Sequence, residues 1–109
     1  MPPTFSSDCS SLIRYEIQQA HGNEVFFIAD LDDNGIMVTA QAIARGNRHA
    51  VPAILSRATS GQMVLHNHPS GELTPSDADL DLASICGNNG IGFGIIDNQC
   101  ERCYLVVAP

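Results

Sequence analysis

The stretch VLHNHPSGELTPSDAD, from Val64 to Asp79, leaves this chain little freedom. It opens at the end of the apolar run QMVL, which reads as a short buried strand. Pro69, Ser70, Gly71 and Pro75 then turn the backbone away from that strand. Ser76 is a good helix N-cap, and Asp79, three residues on, falls where a capping-box acid reaches back. The fold must therefore pass a buried strand through a tight turn into a capped helix.

The rest of the chain supplies partners for that unit. Leu12, Ile13, Ile17 and Ala20 recur at helical spacing, with Ser7 or Asp8 as N-cap and Gly22 as the stop. EVFFIADL and IMVTAQAIA flank DDNG, and β-branched and aromatic runs around an Asn-Gly turn read as a hairpin. RGNRH breaks the pattern, and Pro52 suits the first turn of a helix that carries Ile54, Leu55 and Ala58. A further helix from Ser76 to about Cys86, with Leu80, Leu82, Ala83 and Ile85, is closed by GNNG. IGFGIID and CYLVVA are the last strands, joined through NQCE. The order α, β, β, α, β, α, β, β points to one α/β domain over residues 1–109, a mixed sheet with helices on both faces.

At 109 residues such a domain can bury roughly two-thirds of its unfolded surface. Its formal charge of −7, with arginine as the sole basic residue, gives no basic stripe, so direct nucleic-acid binding is not expected. The first residues lack the pattern of a signal peptide, and no apolar run approaches a membrane helix, so the expected place is the cytoplasm. Cys9, Cys86, Cys100 and Cys103 form no secreted disulfide framework. Cys100 and Cys103 make one C-x-x-C without a second pair, which reads as ordinary turn and core thiols, with a redox or secondary metal role as the alternative.

Side chains at i and i+2 of an extended segment point the same way, so His66 and His68 project together. Two imidazoles so placed can hold one divalent metal through nitrogens at about 2.0–2.1 Å, with a third ligand from elsewhere. Asp79, one turn into its helix, can face the same strand end, and two histidines with one carboxylate are a catalytic zinc arrangement that leaves a position for water. Taken singly, each residue has a simpler reading: Ser76 and Asp79 cap a helix, and loop histidines are solvated. Their joint spacing is much harder to reach by chance.

HNHPSGELTPSDAD resembles the signature of the JAMM (MPN-plus, JAB1/Mov34-type) zinc metalloproteases, and its HNHPSG and TPS wording is most similar to the bacterial RadC-like branch. The resemblance implies a cytidine-deaminase-like α-β-α sandwich with Zn2+ held by His66, His68 and Asp79. It also implies that the Ser76 hydroxyl supports the developing oxyanion. Glu24, at the start of the first core strand, becomes the residue that takes a proton from the attacking water and delivers it to the leaving amine. Glu72 and Glu16 are rivals to Glu24, without a place in the family pattern. His21 and His49 read as surface residues, with His49 and Arg48 at the rim of the cleft by analogy.

The expected function is zinc-dependent hydrolysis of a peptide or isopeptide bond, with the tail of a ubiquitin-like protein among the substrates the resemblance suggests. A noncatalytic MPN-type interaction module is the alternative, as is an accessory domain fused to or partnered with a DNA-processing protein. His66-Asn67-His68 spells HNH, but the nuclease motif of that name is spread over a ββα-metal unit. A zinc deaminase needs H-x-E and P-C-x-x-C, and Cys100 and Cys103 lack that proline.

Overall fold

A computed structural model of the protein describes residues 4–46 and 50–109. Its elements are β1 (Thr4–Phe5), α1 (Ser7–Gln19), β2 (Val25–Leu31), β3 (Ile36–Arg45), α2 (Ala50–Arg57), β4 (Met63–Asn67), α3 (Asp77–Asn88), β5 (Gly92–Ile96) and β6 (Cys103–Val107). The six strands form one mixed sheet in the order β1-β3-β2-β4-β5-β6. β4 and β5 run parallel, whereas β2 is antiparallel to both β3 and β4.

Alternation along β2 divides the core into two layers. Val25, Phe27 and Ala29 pack with Cys9, Ile13 and Ile17 of α1. Phe26 and Ile28 point the other way, to Ile54 of α2 and Leu82, Ala83 and Cys86 of α3. One helix on one face and two on the other give the α-β-α sandwich and mixed sheet expected from the sequence. Every residue of β4 and β5 is buried, as two covered faces require.

Several boundaries differ from the sequence reading. β1 was not expected: two residues pair in parallel with Ile36 and Met37 of β3, too short a stretch to leave a periodic signal. The N-cap of α1 is Ser6, whose hydroxyl accepts from the Cys9 amide, because the extended backbone of β1 ends there. Leu12, Leu55 and Leu80 were assigned to apolar faces but lie in solvent, while Cys9 takes the core place beside Ile13. The DDNG turn forms as expected, with Asp32 Oδ1 accepting from the amides of Asn34 and Ile36 and Gly35 at φ 79°. Asn47, Arg48 and His49 lie outside the described residues, so the rim assigned to Arg48 and His49 does too.

Among the described residues no helix is long and apolar enough to cross a membrane. Packing is tight where β5 crosses the α1 layer. A Cβ on Gly94 would stand 2.9 Å from Cys103 Sγ and 3.2 Å from Leu65 Cδ2, and neither can retreat far within its strand. Gly94→Ala is therefore expected to cost about 1–3 kcal/mol by overpacking. Urea denaturation would show it as a lowered midpoint, and a wild-type midpoint would contradict this packing.

Candidate metal centre

The pairing of β2 with β4 builds the site. Phe26 lies opposite His66 in the antiparallel register, and their rings stack at 4.6 Å with planes 10° apart. Phe93 of β5 closes on the same imidazole at 5.3 Å. Held between two phenylalanines, His66 is 1% exposed. Beyond the end of β4, His68 meets it edge-on at 4.9 Å, so the two rings project together as the i, i+2 spacing requires.

The third group arrives on α3. Ser76 caps this helix: its hydroxyl accepts from the Asp79 amide at 3.1 Å, and Asp79 Oδ2 accepts from the Ser76 amide at 2.9 Å. The capping box does not compete with the metal reading. It aims the carboxylate, placing Asp79 Oδ1 2.8 Å from His66 Nε2 and Oδ2 2.9 Å from His68 Nε2. One ligand atom from each of His66, His68 and Asp79 lies within 4.8 Å of the others.

Burial opposes the charge on Asp79, yet the Ser76 amide, the neighbouring His66, the bond to His68 and the Ser76 hydroxyl together hold its pKa below the usual carboxylate value. Each imidazole is set for a cation. His68 Nδ1 lies 3.0 Å from the Glu72 carbonyl oxygen, which can only accept, so Nδ1 carries a proton and Nε2 is the nitrogen turned to Asp79. A lone pair and a carboxylate oxygen at that distance need a proton or a cation between them. Glu72 was weighed for its side chain; its contribution is the backbone carbonyl, and the side chain is exposed.

His66 gives the second sign. Both of its ring nitrogens lie near carboxylate oxygens, Nδ1 at 3.2 Å from Glu24 Oε1, but neither has a partner at hydrogen-bonding angles, and Glu24 Oε1 also lacks one. Of these two contacts, the one between His66 Nε2 and Asp79 Oδ1 suits co-ligands of a single ion, because an imidazole offers an ion one nitrogen. The enclosing cleft, of about 320 Å³, is lined by Glu24, His66, His68, Glu72, Ser76 and Asp79, beside Thr74 and Pro75, with no lysine or arginine among the described residues. A divalent cation fits both the donors and the missing countercharge.

Glu24 stands just before β2, with its side chain 15% exposed. Ser76 keeps its hydroxyl proton free to donate, because its oxygen serves only as an acceptor in the cap. All five residues expected from the sequence thus meet in one cleft. Glu16 does not line it, and His21 lines a neighbouring cleft on the other side of Glu24, together with Arg45. Asn67 was missed. A polar residue amid the apolar positions of a buried strand is the signal that could have found it.

The C-x-x-C is not a reactive pair. All four cysteines are free, and burial pushes Cys86 to about 11 and Cys100 and Cys103 to about 12. Redox motifs need depressed thiols. Cys100 packs in the α1 layer with Cys9, whose thiol is also raised by burial. Alkylation of the folded protein at pH 8 should run on the order of 100-fold slower than for a free thiol and become rapid on unfolding. Fast labelling of Cys100 or Cys103 in the folded state would contradict this environment.

Residues 4–95 match the family described as RadC-like JAB domain. Similar proteins include the UPF0758 protein pc1765 of Protochlamydia amoebophila, 27% identical over 103 residues, covering 85% of this chain and 44% of that one. The UPF0758 protein SH1266 of Staphylococcus haemolyticus is 28% identical over 106 residues, covering 87% and 46%. A relative from Ruegeria pomeroyi, SPO0054, is 33% identical over 69 residues, covering 56% and 31%. The chain thus spans less than half the length of these curated relatives.

Proposed function

Because the chain belongs to the RadC-like JAB domain family and carries two imidazoles, a buried carboxylate and a nearby glutamate on one cleft, we propose that it is a zinc-dependent metallopeptidase hydrolysing a peptide or isopeptide bond. The observation that carries this reading is the convergence of His66 Nε2, His68 Nε2 and Asp79 in one cleft. Two nitrogens and one oxygen are a donor set of catalytic zinc sites, so His66, His68 and Asp79 hold the ion. Zinc, when bound, supplies a Lewis acid and lowers the pKa of water to about 7.

The remaining steps fall to side chains of this chain. Glu24 takes the proton of the attacking water as a general base and returns it to the departing amine. The Ser76 hydroxyl, pinned by its bond with the Asp79 amide, donates to the carbonyl oxygen as it gains negative charge. Substrates of this reading are extended segments, including the flexible tail of a ubiquitin-like protein, because a cleft of about 320 Å³ admits a strand rather than a folded surface. A noncatalytic interaction module would use Asp79 as a helix cap but would have no use for aiming His66 Nε2 and His68 Nε2 at its carboxylate.

At −7 the domain is a poor direct ligand for nucleic acid, so any role in DNA processing would fall to a fused or partner protein. The four free cysteines suit a reducing compartment, and the cytoplasm is the proposed place of action.

The test compares zinc-loaded wild type with Glu24→Gln on quenched peptides and on isopeptide-linked ubiquitin-like tails. The glutamine variant should keep its zinc and lose about 10²–10⁴-fold in kcat. Equal kcat would remove Glu24 from the chemistry, and zinc-loaded wild type that cleaves neither class would leave the interaction module.

A further inference from the structure

Asn67 stands between the two histidines and is fully buried, with 0% exposure. Its neighbours along β4 alternate between the two faces, so while His66 turns toward α3, Asn67 turns the opposite way. There its carboxamide is fully committed. Oδ1 accepts from the Val25 amide at 2.8 Å, and Nδ2 donates both to the Asn23 carbonyl at 3.2 Å and to Asn98 Oδ1 at 2.9 Å. Asn98, in the turn between β5 and β6, donates in turn to the Pro69 carbonyl at 3.1 Å.

These bonds reach two separate segments of the site, the second by way of the β5–β6 turn. Val25 and Asn23 are the residues on either side of Glu24. Pro69 opens the turn that follows His68. The paired register of β2 with β4 ends at Phe26 opposite His66, so the backbone ladder does not align Glu24 with the histidines. Past that pair, the side chain of Asn67 takes over the work of the ladder.

We propose that Asn67 is the positioning residue of the metal centre, clamping the backbone on both sides of Glu24 and, through Asn98, the turn after His68, so that glutamate and histidines keep one geometry. The proposal rests on the metallopeptidase reading for its kinetic consequence but not for its binding consequence. Serine is too short to reach Asn23 and Asn98, and no other described side chain bonds the Val25 amide.

Two variants test it, Asn67→Ser and Asn98→Ala, each first checked for folding by circular dichroism and a cooperative melt. Zinc affinity is then read by competition with a chromogenic chelator, and kcat and KM on the substrate that wild type cleaves. Folded Asn67→Ser should bind zinc about 10–100-fold more weakly and lose a similar factor in kcat, with KM nearly unchanged. Asn98→Ala, which removes one arm of the clamp at a half-buried position, should shift both in the same direction by a smaller factor.

A purely structural asparagine would lower the melting temperature and leave the folded protein with wild-type zinc affinity and kcat, and that result overturns the proposal. If Asn67→Ser does not fold, wild-type values in Asn98→Ala overturn it instead. Wild type that binds zinc and cleaves nothing defeats the peptidase reading alone, and the zinc titration still decides the role of Asn67.

Discussion

The pairing of β2 with β4 sets Phe26 opposite His66, and the chemistry of this domain depends on that register. A slip of one residue would turn His66 toward α1 and present Leu65 to α3. In the native register the imidazole is stacked on Phe26 and backed by Phe93, in a layer that includes Ile54, Leu82 and Cys86. The same packing that builds the core therefore holds one candidate ligand in place. Gly94, crowded between Leu65 and Cys103, shows how little slack this central pair of strands allows.

Two carboxylates and two imidazoles drawn into a cleft with no lysine or arginine among the described residues are costly unless something positive joins them. Part of that cost is offset locally, since the capping box neutralises the start of α3 and gives the Asp79 carboxylate a backbone donor. The Glu72 carbonyl orients His68, and Asn67 secures the backbone around Glu24. Each of these candidate site residues thus rests on a second contact. A divalent cation would account for the close, bond-poor approach of Asp79 to His66 Nε2, which the surrounding hydrogen bonds do not explain.

Most of the site was legible because its parts are local. The spacing of His66 and His68 needs only a strand, and Ser76 with Asp79 needs only a helix start. Glu24 lies more than forty residues from His66, and local patterning did not single it out; only the family resemblance did. Asn67 and the Glu72 carbonyl stayed hidden for a different reason. Their roles are hydrogen bonds, one reaching Val25 across a register that no local pattern encodes and the other made by a backbone atom common to every residue. In the fold, the errors gather at Leu12, Leu55 and Leu80, where helical spacing supplied more apolar residues than the sheet had surface to cover. β1 escaped because two residues carry no period.

The measurement that bears most directly on the metal centre is the metal content of protein purified without chelator, by elemental analysis, with Asp79→Ala as the control. The expected result is about one zinc per wild-type chain and none in the variant, with both proteins folded. A folded wild-type protein that takes up no divalent metal, even after reconstitution, would contradict the assignment of His66, His68 and Asp79 as ligands.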